Sequence, residues 1–295
     1  MENPRLAEGK SKVCLHFRGA MSLAVLSWVT KRLGSGERVA LASVIEAKGS
    51  VPGKPGAKLA ISSTGDKFGT VGGAGLEMKI EKSLSEMLLK DKSEMRKTGG
   101  RIETYILHKE GKGKEAVALD SLCGGRLKVS LEVIEPVPHI LIAGGGHVGM
   151  SVSIVCETLG WQHSVFDVRN EYSNSVKYPK ASESLCSSVA EFLEEENESS
   201  ITRFSDILVL GHDWSVDQEL LIGLLKITTD APRIGVIGST TKWAGFKKAA
   251  LESGLTDDDL SLARCPIGLD IGADTPEEIA LAICAEILAF ERKAD

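Results

Sequence analysis

A cluster of glycines at positions 144–149 has the composition and spacing of a phosphate-binding turn. The segment follows a short apolar run, residues 139–143, and precedes a second apolar stretch. In this context Gly144 permits a tight turn, Gly146 lets a pyrophosphate approach the backbone, and Gly149 lets helix and strand pack closely. The start of the following helix adds amides and a partial positive charge. The pattern predicts binding of a phosphate-bearing ligand, although the glycines could instead serve only a tight turn.

An acidic residue stands where a dinucleotide-binding domain commonly has one. Asp167 ends the next predicted strand, twenty-three positions after Gly144. Such an acid typically accepts hydrogen bonds from a ribose. Arg169 follows closely, so the sequence leaves NAD and NADP both open.

A second glycine cluster lies in the N-terminal half, between another predicted strand and helix. Its glycines are Gly72, Gly73 and Gly75, and Glu77 follows in the first helical turn. Bare amides at this place are able to cradle an anion, whereas Glu77 complements the helix dipole. On these residues alone we favour a tight turn without a ligand.

Two further groups of polar residues follow predicted strands, at the sheet edge where ligands of such folds bind. His212 and Asp213 are candidates for a proton-transfer pair or part of a metal site. The alternative is that Asp213 caps the next helix. Ser239 and Lys242 are candidates to hold an anion. Near the C-terminus, a glycine-punctuated loop that contains Gly268 and Asp270 has the character of a site wall.

The periodicity predicts an α/β protein with two domains. Two prolines within residues 135–138 mark the boundary. A smaller mixed α/β domain, residues 1–136, precedes a C-terminal Rossmann-type domain with a parallel sheet, residues 137–295. The predicted strands of this second domain are 139–143, 163–167, 206–210 and 233–237, and its predicted helices lie near 148–159, 187–195 and 216–226.

Composition excludes several classes of function. The 295-residue chain has a net charge of −6 and no basic stripe, which argues against nucleic acid and an anionic membrane surface as partners. No apolar stretch reaches the ~20 residues that span a bilayer, and the first residues lack a signal core. Six dispersed cysteines without a CxxC pair argue against a zinc knuckle or a disulfide framework. We therefore expect a cytoplasmic protein.

Motifs spread over almost the whole chain resemble those of one family. They are GSVP at 49–52, GA at 56–57, GTVGG at 69–73 with LE at 76–77, CGG at 123–125, AGGGHVG at 143–149, DVR at 167–169, GVIGS at 235–239 and CPIGLDIGADTPEEIA at 265–280. These residues are similar to the motifs of the XdhC/CoxI family, which comprises xanthine dehydrogenase accessory factors.

The resemblance implies an accessory factor, a cofactor chaperone and not an enzyme. Such a factor binds molybdenum cofactor (molybdopterin), protects it and delivers it to a molybdenum hydroxylase such as xanthine dehydrogenase. Sulfuration of the metal comes beforehand, which implies a sulfurtransferase as a further partner. The family fingerprint includes His147, and the resemblance gives the glycines at 72–75 a binding function in a cleft shared with 144–149. Cys123 is either a soft thiolate near molybdenum or a small buried hydrophobe.

The chain departs from the family pattern at several positions, which leaves the client enzyme open. Gly53 and Lys54 replace an arginine that often follows GSxP, and Thr240 and Thr241 replace a basic pair. The second histidine that follows His212-Asp213 in the family is absent.

Two other functions compete with the accessory factor. One is an NAD(P)-dependent oxidoreductase with His212 or Lys242 as proton donor, and the other is a nucleotide-binding scaffold without chemistry. The N-terminal motifs favour the accessory factor, because a plain dehydrogenase does not need them. A symmetric homodimer is the expected assembly.

Overall fold

The computed structural model describes residues 9–90, 99–107, 116–118, 124–211, 213–229 and 231–293. Contacts between Cα atoms divide the chain into two compact units, and the division falls between Pro136 and Val137. Each unit contains its own sheet. The predicted fold class is confirmed, since a mixed sheet is followed by a parallel one.

The N-terminal unit is a mixed six-stranded sheet with helices. Its described elements are α1 (Gly9–Gly34), β1 (Val39–Gly49), β2 (Lys58–Ser62), β3 (Lys67–Thr70), α2 (Ala74–Leu88), β4 (Arg101–Leu107), β5 (Ala116–Ala118) and β6 (Gly125–Ile134). The strand order is β3-β2-β1-β6-β4-β5. Neighbouring strands run antiparallel, except that β4 and β5 are parallel.

A helix packs on each face of this sheet, because the apolar side chains of its strands point to both faces. In β1, Ala40 and Ala42 belong to one apolar cluster and Val39 and Leu41 to another, because successive side chains of a strand point to opposite faces. The first cluster is completed by buried residues of α2 spaced three or four apart, namely Leu76, Ile80, Leu84 and Met87. The second contains Val25 and Val29 of α1. The loops that leave β1 and β3 are thereby held on a packed scaffold.

The C-terminal unit is a doubly wound parallel sheet. Its described elements are β7 (His139–Ala143), α3 (His147–Leu159), β8 (Gln162–Phe166), a 3₁₀ turn (Asn170–Tyr172), β9 (Ser184–Leu185), α4 (Val189–Glu195), α5 (Glu198–Ile201), β10 (Asp206–Val209), α6 (Trp214–Ile227), β11 (Arg233–Val236), α7 (Thr240–Glu252), α8 (Asp257–Leu260), β12 (Ala263–Arg264) and α9 (Pro276–Lys293). The strand order is β12-β11-β10-β7-β8-β9. When the six strands of this unit are numbered 1 to 6 in chain order, the sheet order is 6-5-4-1-2-3. Read from the other edge, this is the 3-2-1-4-5-6 order of Rossmann domains.

Both faces of the parallel sheet are covered. Ile140 and Ile142 pack in one cluster with residues of α3 and α9. Leu141 and Ala143 pack in the other, with residues of α4, α6 and α7. Burial on both faces explains why β7 is a continuous apolar run without alternation. It also places the carboxyl ends of β7, β8, β10 and β11 at one edge.

The helices of the described ranges include none with the length and apolar character to cross a membrane.

Candidate functional site

The glycine turn after β7 has the local geometry that its sequence predicts. Gly144 has a φ of 117°, and a Cβ there would lie 2.6 Å from the amide nitrogen of Gly211. A Cβ on Gly149 would lie 2.3 Å from the carbonyl oxygen of Gly144, so the helix packs directly on the turn. A Cβ on Gly146 would meet no atom of the described residues within 4 Å. Two glycines are therefore required by packing, and the third leaves open space beside the backbone.

The start of α3 opens onto a cavity of about 420 Å³. Gly146 is the N-cap residue, and it has no side chain to bond the first amides. The first turn carries no acidic residue, so the partial positive charge of this helix end is not offset from within the helix. Residues from several elements line the cavity, among them Gly144, Gly146, His147, Arg169, Tyr172, Gly211 and Pro276. This is a favourable environment for an anion.

Asp167 lies beside the turn and is fully engaged by protein groups. Its side chain is 4% exposed. One carboxylate oxygen accepts hydrogen bonds from the backbone and the Nε of Arg169, at 3.0 and 2.9 Å. The other accepts from Arg169 Nη2 at 2.9 Å and from the Gly145 amide at 3.0 Å. Burial disfavours the charged form, but the bonds from Arg169 outweigh it and hold the pKa of Asp167 below its ordinary value.

The segment after Asp167 covers Gly145. A Cβ on Gly145 would lie only 1.8 Å from the carbonyl oxygen of Tyr172. The Tyr178 hydroxyl donates a hydrogen bond of 2.9 Å to the carbonyl oxygen of Gly145. Chain atoms thus lie against the Cα and the carbonyl oxygen of Gly145. A ribose that reached Asp167 would have to compete with the hydrogen bonds from Arg169 and from the Gly145 amide.

The cleft beside Asp167 is small. It measures about 30 Å³ and is lined by residues that include Gly144, Asp167, Asp213 and Asp217. A cavity of this size holds one or two water molecules, whereas ligand pockets commonly measure ~300–1,000 Å³. Of these two cavities, the one beside Asp167 and the one at the start of α3, only the second is large enough for a cofactor fragment.

The polar residues after β10 and β11 bond to one another and to helix ends. Asp213 caps α6 by accepting hydrogen bonds from the amides of Ser215 and Val216, at 2.8 and 3.2 Å. Ser239 caps α7 by accepting from the Lys242 amide at 3.2 Å. The capping alternative describes Asp213 well, and Ser239 has the same structural function.

The ammonium group of Lys242 is bound within the protein. Its Nζ lies 2.7 Å from Oδ2 of Asp217, whose side chain is 3% exposed. Burial raises the pKa of Asp217 above its ordinary value, and the nearby ammonium opposes this shift. Lys242 neutralises a buried carboxylate and does not line the cavity at the start of α3. An anion at Lys242 would compete with Asp217.

The loop before α9 does not bring its two candidates to the cavity. Gly268 has a φ of 96°, and the Leu269 amide donates to the carbonyl oxygen of Ala282 at 3.1 Å, so the loop packs on α9. Asp270 is exposed. Neither Gly268 nor Asp270 lines the 420 Å³ cavity.

The N-terminal glycine cluster already contains a carboxylate of the chain. Oε1 of Glu77 accepts a hydrogen bond from the Gly72 amide at 3.1 Å and one from the Thr70 hydroxyl. Gly73 is the N-cap of α2 and Gly75 lies exposed in its first turn. Glu77 thus occupies part of the anion cradle that the sequence offers. Gly72 lines a separate cavity within the same unit.

Two predicted site residues, Cys123 and His212, lie outside the described residues. Within the ranges that the structure describes, no three His, Cys, Asp or Glu residues form a group able to hold a metal ion.

Comparison with known proteins identifies the family. Residues 140–287, half of the chain, match the XdhC Rossmann domain. Residues 33–99 match the XdhC and CoxI family. The chain belongs to the XdhC/CoxI family. The two matches fall on the C-terminal parallel sheet and on the β1 to α2 region of the mixed sheet.

Relatives of this XdhC/CoxI protein include two bacterial proteins. The chain is 28% identical over 256 residues to the uncharacterized protein YqeB of Escherichia coli (strain K12), covering 86% of this chain and 44% of that protein. It is 27% identical over 163 residues to a probable xanthine dehydrogenase subunit of Bacillus subtilis (strain 168), covering 55% and 46%. The chain thus spans less than half the length of either relative.

A solved structure is similar over most of its length. This protein, a xanthine dehydrogenase from Bacillus halodurans, is 19% identical in sequence to the present chain. The match covers 91% of the present chain and 96% of the Bacillus halodurans chain, with a TM-score of 0.46.

Sequence reasoning on this XdhC/CoxI chain did not predict three contacts at this edge of the sheet. Tyr172 and Tyr178 hold Gly145, and Asp217 neutralises Lys242. One signal was present, because two of the three tyrosines of the chain lie in the short segment after Asp167.

Proposed function

We propose that this XdhC/CoxI protein binds molybdenum cofactor and delivers it to a molybdenum hydroxylase of the xanthine dehydrogenase type. The choice of client follows the name of the Bacillus subtilis relative, and the accessory function follows the family to which both domains belong. In the client, the cofactor supplies the molybdenum centre at which hydroxylation takes place.

One observation carries the choice of ligand. The open space beside Gly146, at the uncapped start of α3, is accessible to a phosphate, while the oxygens of Asp167 are already bonded to Arg169 and Gly145. This combination favours a cofactor that presents a phosphate over a dinucleotide that must also place its ribose on Asp167. The amides that follow Gly146 would hold the phosphate, and Arg169, whose Nε and Nη2 already donate to Asp167, lines the same cavity and adds positive charge beside it.

Several polar residues at this edge have no direct role in the proposed binding. Asp213 and Ser239 cap helices, and Lys242 neutralises Asp217. They shape the sheet edge beside the cavity. The protein's contribution is then binding, orientation and release, which matches an accessory factor and needs no proton donor.

Substitution of Gly146 tests the site. Aspartate is a favoured N-cap residue, and the open space at Gly146 admits its side chain. We expect Gly146→Asp to fold normally and to place a carboxylate where the phosphate would bind. Ser188→Asp is the matched control, because Ser188 caps α4 and the substitution adds the same charge away from the cavity.

The readout is molybdopterin per mole of protein, measured by mass spectrometry after purification from a host that makes the cofactor. Wild type and Ser188→Asp should retain it, and Gly146→Asp should lose it. Loaded wild-type protein should also restore activity to a cofactor-free molybdenum hydroxylase. Equal molybdopterin in all three proteins would remove the glycine turn from the site. Bound NAD(P) without molybdopterin would favour the oxidoreductase instead.

A further inference from the structure

We propose a second binding site in the N-terminal unit: a cavity between the 52–58 loop, the 70–72 turn and α1 that takes a planar fused-ring heterocycle bearing an anionic group. The inference rests on the proposed function, because the pterin of molybdenum cofactor is a ring system of this class. It assigns a purpose to the 52–58 loop, which the candidate site above does not use.

Two glycines allow the 52–58 loop and the 70–72 turn to approach each other closely and form one wall of the cavity. A Cβ on Gly53 would lie 2.3 Å from the carbonyl oxygen of Val71, and a Cβ on Gly72 would lie 2.7 Å from that of Pro52. Gly53 is buried and Gly72 has a φ of 84°. Because the two backbones lie in close contact, the loops form one continuous wall of the cavity, and a wall that is already formed reduces the ordering cost of binding.

Helix α1 closes the cavity from the other side. Val25 is part of the core beneath it, and the Ser22 hydroxyl donates a hydrogen bond of 3.0 Å to the carbonyl oxygen of Gly56. The volume is about 230 Å³. Pockets for drug-sized ligands measure ~300–1,000 Å³, so this cavity suits a single fused-ring group and excludes a dinucleotide.

The lining combines apolar side chains with positive charge. Val25, Pro52 and Val71 supply apolar surface, while the polar groups are the backbone, two hydroxyls and two lysines, Lys54 and Lys58. None of the described residues that line the cavity is acidic, although the Glu77 carboxylate accepts hydrogen bonds from the Thr70 hydroxyl and the Gly72 amide, which both belong to the lining. Apolar walls with a few polar groups are typical of sites for flat heterocycles. The two lysines supply positive charge for an anionic substituent.

The two lysines differ in their contacts. Lys58 Nζ donates to the Ser43 hydroxyl at 2.8 Å. Lys54 is exposed and pairs with no acidic residue that the structure describes. Lys54 is therefore the residue that we assign to the anionic group of the ligand.

Filling the cavity tests the assignment. The probe is 6-carboxypterin, a fluorescent pterin with an anionic group, and binding to the full chain is followed by fluorescence anisotropy. Ser22→Phe places a ring in the cavity and should weaken binding at least about tenfold. Leu23→Phe is the matched control, since Leu23 is the next residue of α1, is 66% exposed and does not line the cavity. It should bind as wild type does.

Charge removal tests the anion contact separately. Lys54→Ala should weaken binding about two- to fivefold, the size expected for an exposed ion pair, and the loss should shrink at high salt. Lys82→Ala, which removes an equal charge from the exposed face of α2, should have no effect. Equal affinity of Lys54→Ala and wild type would overturn this contact.

Thermal unfolding verifies that each variant is folded, and Pro55→Trp, at an exposed lining position, replaces Ser22→Phe if that variant unfolds. Wild-type protein that fails to bind 6-carboxypterin, or a folded cavity-filled variant that binds it normally, overturns the inference. The two proposals fail in different ways. If molybdopterin is retained by wild type and by the filled variant, the cavity assignment fails and the proposed function stands. If pterin binds but molybdopterin never copurifies, the proposed function fails.

Discussion

Replacing Lys242 by methionine should destabilise the C-terminal unit by about 3–5 kcal/mol, the usual cost of leaving one member of a buried ion pair without its partner. The Lys242 ammonium lies 2.7 Å from Asp217, and the two side chains are 18% and 3% exposed. Domains are stabilised by only ~5–15 kcal/mol in total. The substitution should therefore remove a large share of the stability of this unit.

The two single substitutions should differ in cost. Lys242→Met leaves the carboxylate of Asp217 deeply buried, and the Gly211 amide is then one of its few remaining partners. Asp217→Leu leaves an ammonium that is less buried and reaches water through its flexible stem. We expect the second substitution to cost less. The double variant should recover most of the loss, with a coupling energy of about 2 kcal/mol or more.

Urea unfolding followed by tryptophan fluorescence measures these differences. Three of the four tryptophans, Trp161, Trp214 and Trp243, lie in the C-terminal unit. The penalty of Lys242→Met should shrink as the pH falls, because protonation neutralises the buried carboxyl group.

Additive costs, with a coupling energy below about 0.5 kcal/mol, would refute the ion-pair argument. A Lys242→Met protein of normal stability that has lost molybdopterin would instead make Lys242 an anion ligand.

Two further substitutions test the packing of the C-terminal sheet. Gly145→Ala should destabilise the protein by about 1–3 kcal/mol in thermal or urea unfolding, because its methyl group would lie 1.8 Å from the Tyr172 carbonyl oxygen. Burial lowers the pKa of the His139 imidazole from 6.5 to about 4. Between these two pH values the unfolded state therefore binds more protons than the folded state. The free energy of unfolding should therefore fall by as much as about 3 kcal/mol on acidification, and His139→Gln should flatten this dependence.

Each of these two predictions has its own control. Gly146→Ala adds the same methyl group one residue later, where no described atom lies within 4 Å. Although alanine is a poorer N-cap than glycine, this substitution should cost less than Gly145→Ala. Equal effects of the two alanine substitutions would contradict the close contact. For His139, the informative quantity is the difference between the wild-type and variant curves from about pH 7 to 4. Parallel curves would mean that this histidine does not titrate with unfolding.

The sequence alone determined the class of fold and the glycine turn. The apolar run of β7 predicted a strand buried on both faces, because such a strand lacks alternation. Gly144 and Gly149 predicted the turn and its packing, since the backbone there leaves no room for a Cβ. These inferences succeeded because they depend on local periodicity and on backbone conformation, which neighbouring residues in the chain encode.

The partners of the charged side chains were decided by tertiary structure. From the sequence, Asp167 was a candidate to bind a ribose and Lys242 a candidate to bind an anion. In the folded chain, Asp167 is bonded to Arg169 and Gly145, and Lys242 is paired with Asp217. Folding likewise joined the 52–58 loop to the 70–72 turn through backbone contacts. A charge buried by folding must find a partner in three dimensions, and the spacing of residues along the chain does not specify which group will lie within reach.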